Sequence, residues 1–171
     1  MKRFTAGFLL LMTAAGCSNV PPVTSETAGP KVVFTQSGVP GDITSLTLNA
    51  DSNAAQFFNA VATDPGGVKS INLVFTSGTG SCTTVMGAVY SGVFTYSPVP
   101  ANQNTTSTPD GMGLVPTELF TTSTVQGPFT CNTFLNPPQT SRPYGDTVYA
   151  NVTATNYSGK STNASLPMTF Q

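Results

Sequence analysis

The side chains best suited to covalent chemistry are three cysteines, Cys17, Cys82 and Cys131, in a chain of 171 residues with no histidine. A thiol can carry a lipid, pair as a disulfide, bind a metal or act as a nucleophile, and its surroundings decide which. Without histidine there is no Ser-His-Asp or Cys-His catalysis and no His-Glu-x-x-His zinc site. No Ser-x-x-Lys run recruits Lys31, Lys69 or Lys160 to a serine–lysine dyad. The seven acids are Glu26, Asp42, Asp51, Asp64, Asp110, Glu118 and Asp146. Most stand beside Gly, Pro or Asn, where aspartate braces turns, whereas glycoside hydrolysis needs two carboxylates facing one cleft. Asp64, Asp110 and Asp146 are loop positions open to calcium, but no Asp-x-Asp-x-Asp-Gly run accompanies them. This inventory predicts no enzyme, with no catalytic residue, no resident metal and no cofactor. Tyr90, Phe94, Tyr96 and Phe129 are the candidates for a sugar-stacking platform, although aromatics in strand patterns more often fill a core.

The position of Cys17 sets its surroundings. Met1-Lys2-Arg3 is a basic head, Phe4 to Ala15 is an apolar run broken by Thr5, Gly7 and Thr13, and Ala14-Ala15-Gly16 are small. Charged, apolar and small regions in that order are the plan of a secretory signal peptide. A transmembrane helix needs about 20 apolar residues, more than this run contains.

Ala14-Ala15-Gly16-Cys17 resembles the lipobox of bacterial lipoproteins. The resemblance implies a diacylglyceryl thioether on Cys17, cleavage before it, and acylation of the new amino terminus. Residues 1–16 are then a discarded signal peptide. Ser18 follows the cysteine where the family uses aspartate for inner-membrane retention, which implies the outer membrane of a Gram-negative cell. Several acyl chains give stable attachment where one alone is marginal. The expected membrane contact is therefore this lipid anchor. Residues 17–30 contain Pro21-Pro22 and Gly29-Pro30 among Ser and Thr and read as a flexible tether.

With Cys17 lipidated, Cys82 and Cys131 are left as a pair. An exported protein meets an oxidising compartment, where a disulfide is the expectation. Metal binding or redox catalysis is the alternative, against which stand the missing histidine and the missing Cys-x-x-Cys spacing. The mature chain of about 155 residues is long enough for one domain with a core. Its bases are Lys31, Lys69, Arg142 and Lys160, fewer than its acids, so no basic patch is available for nucleic acid.

Residues 31–171 carry the strand patterns. Lys31–Gln36, Ile43–Leu48, Gln56–Thr63 and Ser70–Phe75 read as strands, with Asp64-Pro65-Gly66-Gly67 as a turn. Val85 to Tyr96 reads as one or two strands interrupted at Gly87 and Ser91-Gly92. Ser97–Gly113 and Asn136–Gly145 read as long loops, with short strands at Leu114–Thr122 and Phe129–Phe134 between them. The end is the clearest part: Val148, Ala150, Val152 and Ala154 alternate with polar residues, and so do Ala164, Leu166, Met168 and Phe170. Two such runs around a Gly-containing loop predict a hairpin.

That hairpin, with Gly145, Val148, Ala150, Val152, Ala154, Asn156, Gly159 and Ser161, is similar to the last two strands of fibronectin type III and related immunoglobulin-like domains. The resemblance implies an all-β, immunoglobulin-like antiparallel sandwich with long loops. Val148 stands where the family has its corner tyrosine, and the chain has no tryptophan for the core. The expected function is a non-enzymatic envelope lipoprotein whose sandwich meets a protein partner, or serves structurally, through its loops or a strand edge. The alternative is a carbohydrate-binding or adhesive surface module. A contiguous exposed aromatic patch would favour the alternative, and a bare strand edge a protein partner.

Overall fold

The computed structural model describes residues 27–80, 82, 89–99, 105–107, 114–133 and 139–171. Cys17, Glu26 and Asp110 lie outside them, as do residues 1–26. Eleven strands run in chain order: β1 Lys31–Thr35, β2 Leu46–Leu48, β3 Ala55–Thr63, β4 Val68–Ser77, β5 Val89–Val99, β6 Thr105–Ser107, β7 Leu114–Pro116, β8 Glu118–Thr133, β9 Gln139–Ser141, β10 Thr147–Asn156 and β11 Ser161–Phe170. Among the described residues, no helix is long and apolar enough to cross a membrane.

Two sheets carry the core. One has the order β1-β3-β8-β5, with β9 also on β8, and the other has the order β2-β11-β10-β4. This is the immunoglobulin-like sandwich that the hairpin resemblance implied. The β6–β7 hairpin is separate. One pair departs from the antiparallel expectation: β2 runs parallel to β11, with Leu46 opposite Met168 and Leu48 opposite Phe170. The chain crosses from one sheet to the other between β1 and β2.

Period-two alternation decides the inner faces. Phe58, Ala60 and Ala62 of β3, Leu73 of β4, Val148, Ala150, Val152 and Ala154 of β10, and Leu166, Met168 and Phe170 of β11 are buried. Between the sheets runs a chain of rings: Phe34–Phe58, Phe58–Phe75, Phe75–Phe94, Phe94–Phe129 and Phe129–Phe170, with centroids 4.9 to 6.5 Å apart. Each tilted or edge contact is worth roughly 0.5–1.5 kcal/mol beyond area burial. These phenylalanines occupy the middle of a core that has no tryptophan.

The two short strands expected at Leu114–Thr122 and Phe129–Phe134 are replaced by the short β7 and the 16-residue β8. β8 is continuous because it is paired on both edges, by β3 from Glu118 to Gln126 and by β5 from Phe120 to Asn132. The expected loop at Ser97–Gly113 likewise contains the end of β5 and all of β6, and that at Asn136–Gly145 contains β9. Gly92 is where the β5–β8 register breaks, a bulge at the interruption read from the sequence. There a Cβ would come within 2.6 Å of the Phe129 ring, and Gly92 has φ +146°, so glycine lets that ring reach the core.

β3 and β9 share one edge of β8, because β5 takes the other. Between them β8 lacks a strand partner among the described residues, and the chain around Asp51 fills the place. Phe129 N donates to Ala50 O at 2.8 Å, and Gln126 Nε2 donates to Asn53 O at 2.9 Å. Arg142 donates to Phe129 O at 2.9 Å and forms an ion pair with Asp51 at 2.9 Å.

Candidate functional site: the open edge of β4

Cys82 and Cys131 are joined in a disulfide with Cα atoms 5.5 Å apart, 49 residues apart in sequence. Both are buried, and the bridge ties the segment after β4 to β8. The buried Asp146 carboxylate accepts from Cys82 N at 2.8 Å. Gly80 has no room for a side chain, since a Cβ there would overlap the Asp146 carboxyl group.

The described acids do different structural work. Asp64 Oδ1 accepts from Gly66 N at 2.8 Å, and its Oδ2 accepts from Asn156 Nδ2 at 3.1 Å. Asp146 precedes β10 and Asn156 ends it, so the Asp146 and Asp64 carboxylates sit at opposite ends of that strand. They do not share an ion, and no metal-binding group of acids and cysteines occurs among the described residues. Asp51 accepts from the Tyr144 hydroxyl at 2.5 Å besides pairing with Arg142. This hydrogen bond, then desolvation and the Asp51 charge, raise the Tyr144 pKa above its ordinary value. Asp64 and Glu118 do line one open cleft of about 500 Å³ with Lys31, Thr63 and Thr117. Both Asp64 oxygens are already engaged as acceptors from Gly66 and Asn156, which makes this carboxylate a brace for the turn.

The aromatic candidates also separate. Phe94 and Phe129 pack on each other in the core at 5.5 Å, while Tyr96 is exposed at the sandwich side; the Tyr90 side chain lies outside the described residues. Other exposed aromatics stand on separate elements: Phe57 on β3, Tyr144 before β10 and Tyr157 after it. No contiguous aromatic platform forms among the described residues.

What the topology does leave open is strand edges. One sheet ends in β1 and β5 and the other in β2 and β4, and the three-residue β9 adds a short edge beside β8. Proteins blunt such edges by shortness, charge, proline or bulges. β1 has five residues and begins with Lys31, and β2 has three. β5 carries the register break at Gly92 and also Pro98, which has no N–H. β4 has ten residues, no proline, and one charge, Lys69, next to its first residue. Its register shift lies opposite Thr155/Asn156, at that same end. From Ser70 to Ser77 the ladder is regular, with Val74 opposite Asn151 on β10.

The direction of the free backbone groups follows from β10. Phe170 N donates to Asp146 O at 3.0 Å and Asn156 N to Lys160 O at 3.0 Å, so the even-numbered residues of β10 bond to β11, and Tyr149, Asn151 and Thr153 bond to β4. In an antiparallel ladder such pairs alternate. Thr76, Val74 and Asn72 therefore spend their amides on β10, and Ile71, Leu73, Phe75 and Ser77 direct N–H and C=O to the outer edge. Among the described residues no strand pairs with those groups. On the solvent face of the same strand lie Ser70, Asn72, Val74 and Thr76, with Val74 49% exposed. The Tyr96 hydroxyl, from β5, donates to Asn72 Oδ1 at 3.3 Å, so its ring lies across the edge at mid-strand. Sequence periodicity marks β4 as a strand, but whether a strand lies at an edge has no local signal.

No protein-family profile and no curated protein matches the chain. Among solved structures it is similar to the ZirS C-terminal domain, at 8% identity and a TM-score of 0.35, covering 99% of this chain and 87% of that one. It is also similar to AggA of Escherichia coli, the major subunit of aggregative adherence fimbriae type I, at 14% identity and a TM-score of 0.33, covering 83% of this chain and 94% of that one. Likeness at this level carries no argument about what the chain does.

Proposed function

We propose that this chain is a non-enzymatic lipoprotein of the Gram-negative envelope that binds a protein partner by strand addition along β4. In this reading the signal peptide is residues 1–16, Cys17 carries the lipid, residues 17–30 are the tether and residues 31–171 are the sandwich. The lipobox residues Ala14-Ala15-Gly16-Cys17 support the anchor. The observation that carries the partner reading is the regular, nearly uncharged outer edge of β4, where the backbone groups of Ile71, Leu73, Phe75 and Ser77 meet no strand among the described residues. An added strand gains main-chain hydrogen bonds there, and the alternating side chains supply selectivity. Carbohydrate binding is the weaker reading, because the exposed aromatics are dispersed.

Two experiments test it. Cys17→Ser abolishes incorporation of labelled palmitate in the producing cells; undiminished labelling overturns the anchor. A photoreactive amino acid at Val74 of the full-length chain yields a protein adduct in intact cells, and the same probe at Thr153, on the outer face of β10, does not. Equal yield at both positions, or none at Val74, overturns the edge reading.

A further inference from the structure

Resting on that reading of β4, we infer that the strand added is β4 of a second copy, antiparallel and centred on Val74. The strand is complementary to itself about that residue. In a two-fold pairing Val74 lies opposite Val74, so the apolar side chain that is 49% exposed in one copy is covered by its twin. Asn72 falls opposite Thr76, an amide against a hydroxyl, and Leu73 falls opposite Phe75. Leu73 and Phe75 direct their free N–H and C=O groups outward, so the two strands exchange hydrogen bonds at those positions. Val74 then forms a non-hydrogen-bonded pair, the kind with Cα atoms about 4.5 Å apart and side chains closest.

Charge favours the same arrangement. The only charged residue of β4 is Lys69. In this register it lies opposite Thr79, which puts the two lysines roughly 33 Å apart at opposite ends of the pair. A register that brought them face to face would be repelled. Joining the two copies makes one continuous sheet across the two-fold axis, with the same surface used on both sides and no free β4 edge left to propagate. The Tyr96 ring lies over the edge at Asn72, held by its 3.3 Å hydrogen bond, and swings aside when the second strand docks.

The test uses the full-length chain in its own membranes. Val74→Cys places two thiols within disulfide range at the axis, where Cα atoms about 4.5 Å apart suffice. Mild oxidation gives a dimer at twice the monomer mass on non-reducing gels, at about tenfold or more the yield of the exposed control Thr153→Cys. Val74→Lys and Val74→Glu, each folded by circular dichroism, both lose self-association, and mixing the two restores it because opposite charges then meet at the axis. Tyr96→Ala increases dimer yield. Equal yields from Val74→Cys and Thr153→Cys overturn the self-pairing. If the photoreactive probe at Val74 meanwhile captures a different protein, the self-pairing fails while the strand-addition reading stands.

Discussion

Asn156 Nδ2 donates to Asp64 Oδ2 at 3.1 Å across 92 residues of sequence. The same side chain accepts from Ser158 Oγ at 2.7 Å and Lys160 N at 2.8 Å. One fully buried amide thus closes the β10–β11 turn and locks it to the β3–β4 turn. Asn156→Ala removes all of these bonds and leaves the Asp64 carboxylate short of a donor in a buried place. The expected loss is about 2–4 kcal/mol in urea unfolding. A loss below the error of the midpoint would show that the amide is dispensable.

Phe129 touches both Phe94 and Phe170 and so links rings from the two sheets. Phe129→Ala opens a cavity in the middle of that chain and should cost about 3–5 kcal/mol. Phe57→Ala, at a side chain 52% exposed on the outer face of β3, should cost much less. Similar costs for the two would contradict the assignment of faces.

Thr121 Oγ1 and Ser123 Oγ are buried on the inner face of β8 with no hydrogen-bond partner among the described residues. Each carries a desolvation cost that no described residue offsets. Ser123→Ala and Thr121→Val should therefore raise stability by about 1 kcal/mol each. Destabilisation by either would mean that the hydroxyl has a partner, such as a buried water.

The Cys82–Cys131 bridge closes a loop with a sequence separation of 49. In the chain-entropy model such a loop is worth roughly 4 kcal/mol. Native and reduced chains should differ in gel mobility, and Cys82→Ala/Cys131→Ala should unfold at lower denaturant by about that margin. Unchanged stability would place the disulfide outside the cooperative unit.

Tyr144 is held protonated by its hydrogen bond to Asp51, which raises its pKa above 10.0. The folded state keeps this proton more tightly than the unfolded state does. The contribution is therefore complete below the unfolded value and fades as pH rises through the folded one. Asp51→Ala should bring the Tyr144 titration back down in carbon-13 tyrosine spectra. An unmoved titration would show that the contact does not persist in solution.

What the sequence determined by itself is what local alternation can encode. β3, β4, β10 and β11 are legible because one face of each must be apolar, and Gly and Asp mark the turns between them. Pairing of Cys82 with Cys131 was expected from the reading of Cys17 as a lipid carrier, and the bridge is present. β8 was not legible, because Thr121 and Ser123 stand at inner positions and Gly127-Pro128 interrupts its middle. Hydrogen bonds to β3 and β5 from distant parts of the chain make it one strand. The parallel seat of β2 on β11 and the Asp64–Asn156 brace are non-local in the same way. So is the edge position of β4. Any ten-residue alternating strand has two edges, and only the order β2-β11-β10-β4 decides that one edge of β4 receives no strand among the described residues.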